Sequence, residues 1–105
     1  MYIEFIDKKI EKLCLNYTHA VKKLGQKNAK KLFQRMSEIK ASNNLKVLMT
    51  LPNAKCHRLH NNRKGQCAVS LAHPKRLILL PETIDGEIID NQVEKVTIIE
   101  IVDYH

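Results

Sequence analysis

The sequence predicts an α+β domain in which a helical hairpin packs on one face of an antiparallel sheet of about five strands. In the first half of the chain, apolar residues recur with the period of an amphipathic helix. From Cys56 onward, short runs of β-forming residues alternate with polar turns. The chain has 105 residues, so a single domain spanning 1–105 is expected.

The first element is predicted to be a strand, because residues 2–6 are rich in β-forming side chains. Asp7 is suited to cap a helix that follows, and apolar residues at helical spacing then continue to Leu24. Gly25 is a suitable end for this helix. Its continuity is left open at 16–18, where the spacing favours one helix but Asn and β-branched Thr weaken it.

A second helix is predicted over 26–41, followed by one or two helical turns that end before Pro52. Much of this second helix outside its apolar stripe is basic. Such a face is most often only solvated, but it also suits RNA or an acidic partner. On this basis, three of its cations are candidate RNA-binding residues: Lys30, Lys31 and Arg35.

The second half is predicted to form four consecutive strands, which gives the element order β-α-α-β-β-β-β. A polar turn at 61–65 ends in Gly, a second turn contains His73-Pro74, and an Asp85-Gly86 turn lies in an acidic segment at 82–95. Helices on one face leave the other face open for Arg63, Arg76 and the C-terminal residues. The strands are predicted over 56–60, 66–71, 76–80 and 96–102.

The charge of the chain favours an anionic partner. Its formal net charge is +7, although the segment 82–95 carries five acidic residues against one lysine. The rest of the chain is therefore more basic than the total, which favours nucleic acid or an acidic protein. There is no apolar run of about 20 residues and no signal-peptide pattern, so a cytoplasmic protein without a membrane partner is expected.

The three cysteines, Cys14, Cys56 and Cys67, are odd in number and lack CxxC spacing. This argues against a disulfide framework and against a zinc site. The cysteines are interpreted as small buried apolar side chains. No metal or other cofactor is expected.

Histidines and arginines in the second half suggest phosphodiester chemistry. RNA carries its own nucleophile, the 2′-hydroxyl, so an RNase needs a base, an acid and cations, and no metal. His60 and His105 are predicted to transfer protons, and Arg63 and Arg76 to hold the phosphate. Each histidine alone is more often a bystander than a catalyst, and only the combination favours a site.

The remaining terminal residues have supporting roles in this hypothesis. Asp103 is predicted to orient an imidazole, and Tyr104 to stack on a base or donate to a phosphate oxygen. Tyr104 as a packing residue at the end of a strand is an ordinary alternative. Three further cations near the candidate site are predicted to bind RNA: Arg58, Lys64 and Lys75.

Four stretches, CHRLH, RKGQCAVSL, HPKRLIL and the terminal VTIIEIVDYH, resemble HigB-type toxins, the plasmid maintenance system killer branch of the RelE/ParE superfamily. The resemblance covers nearly the whole chain and is specific in the second half. It implies the toxin of a type II toxin–antitoxin module, which cleaves mRNA in the ribosomal A site and so inhibits translation. It also implies a HigA-like helix-turn-helix antitoxin as partner.

The resemblance also assigns site residues. The turn HNNRKG is shorter than in many relatives, and Lys64 is the substitute for the lysine that those relatives carry there. Cys67 and Lys75 stand where relatives often have aromatic residues, which implies a weaker platform for base stacking. The family's catalytic positions fall on His60, Arg63, Arg76, Asp103, Tyr104 and His105.

Two other functions are compatible with the same fold, because one fold hosts several activities. One is a ParE-like inhibitor of DNA gyrase, against which His60 and the terminal Asp-Tyr-His argue. The other is an inactive module that only binds the antitoxin, which the shortened turn keeps open.

Overall fold

A computed structural model describes residues 1–103 of the chain. Along this part, four helices and five strands follow one another, with short 3₁₀ turns at Asn61–Arg63 and Asp90–Gln92. The elements are β1 (Tyr2–Phe5), α1 (Lys8–Leu15), α2 (Tyr17–Leu24), α3 (Gln26–Ala41), α4 (Leu45–Met49), β2 (His57–Arg58), β3 (Cys67–Ser70), β4 (Lys75–Pro81) and β5 (Lys95–Asp103).

The five strands form one sheet in the order β1-β5-β4-β3-β2. The pairs β2–β3, β3–β4 and β4–β5 are antiparallel, but β1 pairs with β5 in parallel, from Tyr2 opposite Lys95 to Phe5 opposite Ile98. The α+β class is therefore confirmed, whereas the prediction of an antiparallel sheet is wrong for β1. The helices and strands between β1 and β5 form a crossover long enough to bring β5 alongside β1 in the same direction.

The long first helix is broken in two at Asn16. Asn16 has an extended backbone, and its side chain accepts a hydrogen bond from the His19 amide at 2.9 Å, which caps α2. Asp7 caps α1 in the same way, through the Ile10 amide at 2.8 Å. Capping side chains of this kind satisfy amides that have no partner within the helix.

The helices cover one face of the sheet, and the main core lies between them. Alternate residues of the strands point into this layer, because successive side chains of a strand lie on opposite faces. The fully buried apolar side chains at this interface include Leu32, Ile39, Leu45, Leu48, Val69, Leu77, Leu79, Val96 and Ile98. None of the helices within residues 1–103 is long and apolar enough to cross a membrane.

A β-bulge in β5 determines what the opposite face carries. Leu79 pairs with Ile98 and Ile78 pairs with Glu100, so Ile99 is the extra residue. The bulge places Glu100 on the face away from the helices, together with Ile78. A small second cluster packs on this face, and it consists of Leu59, Ala68 and Ile78 with Ile99 and Val102.

The Asp85-Gly86 turn forms as predicted. Asp85 and Gly86 both have positive φ, 53° and 80°, and Ile84 pairs with Glu87 across them. This is the two-residue turn that an Asp-Gly pair favours. The second strand is much shorter than its predicted range 56–60, because His60 already precedes the 3₁₀ turn that leads to Gly65.

Candidate active site

His60 lies at the start of the turn between β2 and β3, and its side chain is exposed. The turn is held by two backbone hydrogen bonds, from the Arg63 amide to the His60 carbonyl and from the Lys64 amide to the Asn61 carbonyl, both 3.1 Å. Gly65 ends it with a φ of 91°, in the region that glycine adopts most easily. The turn therefore presents the His60 imidazole at the surface, as its predicted role requires.

The His60 side chain lines a cavity of about 690 Å³. One wall of this cavity comes from β2 and the following turn, through residues such as Arg58, Lys64 and Gln66. The other wall is the tip of the acidic segment, with Gly86, Glu87 and Ile88. The sequence did not predict that this segment lies beside His60.

Arg63 is already engaged by an acidic residue. Its guanidinium donates to Glu100 Oε1 at 2.5 Å and to Gln66 Oε1 at 2.9 Å. Glu100 was missed as a site residue, although it is the one acidic residue inside the apolar run 96–102. These contacts hold the Arg63 side chain in place over the open face of the sheet and offset its charge.

Arg76 occupies the same open face by its position in the sheet. It pairs with Val102 on β5 and with Ser70 on β3, two residues along the strands from Ile78 and Glu100. The prediction that Arg63 and Arg76 share the open face thus agrees with the strand register. Arg76 donates to the Lys75 carbonyl at 3.1 Å and is half-buried.

Asp103 and Lys75 face each other across β4 and β5, and their side chains form an ion pair at 2.8 Å. They alternate with Val102 and Arg76 along the strands, so they belong to the other face of the sheet. The structure therefore does not bring the Asp103 carboxylate together with the Arg63–Glu100 pair. Tyr104 and His105, the other predicted terminal residues, lie outside the described residues.

Arg58, a predicted RNA-binding residue, also has an acidic partner. Its guanidinium donates to Asp90 Oδ1 at 2.7 and 3.2 Å and to the Ile88 carbonyl at 2.7 Å. These contacts tie β2 to the acidic segment. Lys64, in contrast, is exposed at the tip of the turn.

The prediction for Arg35 is wrong in its placement. The side chain is only 2% exposed, and it is not part of a solvated basic face. It donates to the carbonyls of Ser70 and Asn53, each at 2.7 Å, and pairs with Glu38 at 3.0 Å. A buried guanidinium requires such partners, because an unpaired buried charge is very costly.

The other two cations predicted on this helix are more accessible than Arg35. Lys30 is exposed, and Lys31 is half-buried. Both therefore remain candidates for contact with an anion.

The three cysteines are buried, as predicted from the sequence. All three are free thiols. Burial raises the pKa of the Cys14 thiol to about 12. A hydrogen bond with Cys67, together with burial, raises the pKa of the Cys56 thiol. Neither thiol therefore supplies a thiolate nucleophile near neutral pH.

Among residues 1–103, no group of three or more His, Cys, Asp or Glu side chains is arranged to hold a metal ion. The chain was also compared with known proteins. No protein-family model matches it, and no curated protein matches it significantly.

Proposed function

We propose that this chain is the toxin of a type II toxin–antitoxin module and that it cleaves mRNA in the ribosomal A site without a metal ion. The observation that carries the proposal is the exposed His60 imidazole in a cavity beside the turn that carries Arg63. Its other support is the resemblance of the second half to HigB-type toxins. The expected partners are a HigA-like helix-turn-helix antitoxin and the translating ribosome in the cytoplasm.

In this proposal, His60 and His105 move the protons of the reaction. One imidazole takes the proton of the 2′-hydroxyl, which attacks the adjacent phosphorus and displaces the 5′-oxygen. The other gives a proton to that oxygen as it leaves. The products are a 2′,3′-cyclic phosphate and a 5′-hydroxyl, and no atom comes from a cofactor.

Arg63 and Arg76 neutralise the phosphate as its negative charge grows in the transition state. The guanidinium of Arg63 is already held by hydrogen bonds to Glu100 and Gln66. A phosphate that reaches Arg63 has to compete with the Glu100 carboxylate. We infer that RNA binding exchanges this pair for an Arg63–phosphate contact.

One observation favours a second candidate, a module that binds the antitoxin without cleaving RNA. Three predicted RNA contacts already pair with acidic residues within residues 1–103: Arg58 with Asp90, Arg63 with Glu100 and Lys75 with Asp103. These ion pairs are at the surface and weak, so RNA could displace them. They are therefore compatible with both candidate functions.

The test is induction of the chain in cells without antitoxin, followed by growth measurement and mapping of new mRNA 5′ ends. The matched variants are His60→Ala, His105→Ala and, as a control, the exposed His57→Ala. Arrest with new in-frame ends, lost in the first two variants and kept in the control, supports the proposal. Arrest without new ends indicates another target such as gyrase, and no arrest by folded wild-type protein indicates the inactive module.

A further inference from the structure

A second cavity, of about 260 Å³, lies at the margin of the sheet beside the end of β3. It shares no lining residue with the cavity beside His60. Among residues 1–103, its lining contains three types of basic side chain and no acidic residue. The lining residues are Lys31, Arg35, Asn53, Lys55, Ser70, Leu71, His73 and Arg76.

The cations of this cavity come from separate segments of the chain. Lys31 belongs to α3, Lys55 precedes β2, His73 lies between β3 and β4, and Arg76 belongs to β4. A basic surface that is only solvated typically arises from neighbouring positions on one helix face. Here the fold itself brings Lys31, Lys55 and His73 to one cavity from three separate segments, and an anion bound there would offset the repulsion between their charges.

The buried Arg35 guanidinium fixes the floor of this cavity. By donating to the carbonyls of Ser70 and Asn53, it joins the end of β3 to the segment that carries Lys55. A backbone hydrogen bond from the Ser70 amide to the Ala54 carbonyl, 2.8 Å, adds to this connection. Glu38 contacts Arg35 from α3 and offsets its charge, but Glu38 does not line the cavity.

We propose that this cavity binds a phosphate group of an RNA strand through Lys31, Lys55 and His73, whereas Arg76, which also lines it, serves the phosphate that is cleaved. Because one water occupies about 30 Å³ in the liquid, the volume suffices for a phosphate with part of its hydration shell. The identity of the strand rests on the proposed function. The site would hold a phosphate other than the one cleaved beside His60, because the two cavities share no lining residue within residues 1–103.

A compact anion fits this cavity better than an acidic protein segment does. Of the lining residues within 1–103, Leu71 is the one large apolar side chain, so an amphipathic peptide would find little apolar surface there. The cavity is lined instead by two lysines and a histidine, Lys31, Lys55 and His73, whose side chains can donate hydrogen bonds to phosphate oxygens.

The test measures the affinity for a single-stranded RNA oligonucleotide at several salt concentrations. The oligonucleotide carries 2′-O-methyl groups so that it is not cleaved. The variants are Lys55→Gln and Lys31→Gln, and the control is Lys9→Gln, an exposed lysine on α1. Loss of one phosphate contact should reduce the slope of log affinity against log salt by about 0.7. Between 50 and 200 mM salt, each cavity variant should therefore lose about 2.6-fold less affinity than wild type does.

The same variants are then measured on ribosomes without mRNA, which separates the two sources of RNA phosphate. A reduced slope on the oligonucleotide indicates the mRNA strand, and a reduced slope on ribosomes alone indicates ribosomal RNA. Wild-type slopes in both cavity variants, with unchanged melting temperatures, would overturn the phosphate site. Cleavage on programmed ribosomes is a separate measurement, so the proposed function can stand while the site fails, or the reverse.

Discussion

The Arg63–Glu100 pair is the contact that a phosphate would have to replace in the proposed mechanism. The Arg63 side chain is 32% exposed and the Glu100 side chain 45%, so water screens their attraction. Ion pairs with this exposure contribute about 0–1 kcal/mol to stability. A phosphate can therefore replace the carboxylate at small cost, and Glu100 acts as a competitor whose removal should be measurable.

Replacing Glu100 with Gln should strengthen RNA binding. The variant removes the negative charge beside Arg63 but keeps an amide oxygen that can accept its hydrogen bond. The affinity for a single-stranded RNA should rise by up to about 5-fold, because the exposed ion pair that the phosphate replaces contributes about 0–1 kcal/mol. The matched control is Glu4→Gln. It removes an exposed carboxylate on the edge strand β1, 3.6 Å from the Lys95 ammonium group. Identical affinities for both variants would mean that RNA does not displace Glu100 from Arg63.

Arg35 shows what residue type alone fails to predict. Its position is three residues after Leu32 and four before Ile39, both fully buried, so the helical period places it on the apolar stripe. Its charge suggested the solvated face instead. The spacing was the available signal, but its partners on Ser70 and Asn53 lie far away in sequence and were not predictable.

At the scale of elements, the acidic segment 82–95 supplies one wall of the cavity that His60 lines. Its tip lines the cavity of His60, and Arg58 holds it to β2 through Asp90 and the Ile88 carbonyl. The sequence predicted the Asp85-Gly86 turn correctly, because local turn chemistry decides it. Its position beside His60 depends on a contact between distant residues, which local patterns do not encode.

Removing the ion pair between Arg58 and Asp90 should make the acidic segment more mobile without unfolding the protein. Asp90→Asn removes the carboxylate that pairs with Arg58. Amide hydrogen exchange should therefore become faster at Gly86 to Ile88 and remain slow in β4 and β5. The free energy of unfolding should fall by less than about 1 kcal/mol, because the pair is exposed. Asp85→Asn, at the tip of the same segment, is the control and should change neither quantity. Unchanged exchange in Asp90→Asn would show that the Ile88 contact is sufficient to hold the segment.

The direction of β1 in the sheet could not be predicted from the sequence. The pattern of residues 2–6 indicates a strand but not its partner, and β1 lies parallel to β5. The break between α1 and α2 was undecided because spacing and propensity disagree there. The capping contact of Asn16 with His19 resolves it in favour of two helices.

For the whole molecule, the distribution of charge suggests a protein that depends on its partner for activity. The formal net charge is +7, yet Arg58, Arg63 and Lys75 each pair with an acidic residue. The positive charge attracts RNA at long range. On the side of His60, a free RNA strand would have to displace a carboxylate to reach the guanidinium of Arg58 or Arg63.

Purified protein should therefore cleave naked RNA poorly and cleave mRNA on programmed ribosomes much faster. The ribosome would fix the mRNA strand beside His60, and positioning of this kind can lower a barrier by several kcal/mol. The measurement compares single-turnover cleavage of one mRNA, free and bound to ribosomes with an empty A site. Ribosomes whose A site holds a tRNA are the control and should protect the mRNA, since the protein cannot reach it. Equal rates on free and ribosome-bound mRNA would contradict dependence on the ribosome, because His60 and the arginines would then need no external positioning.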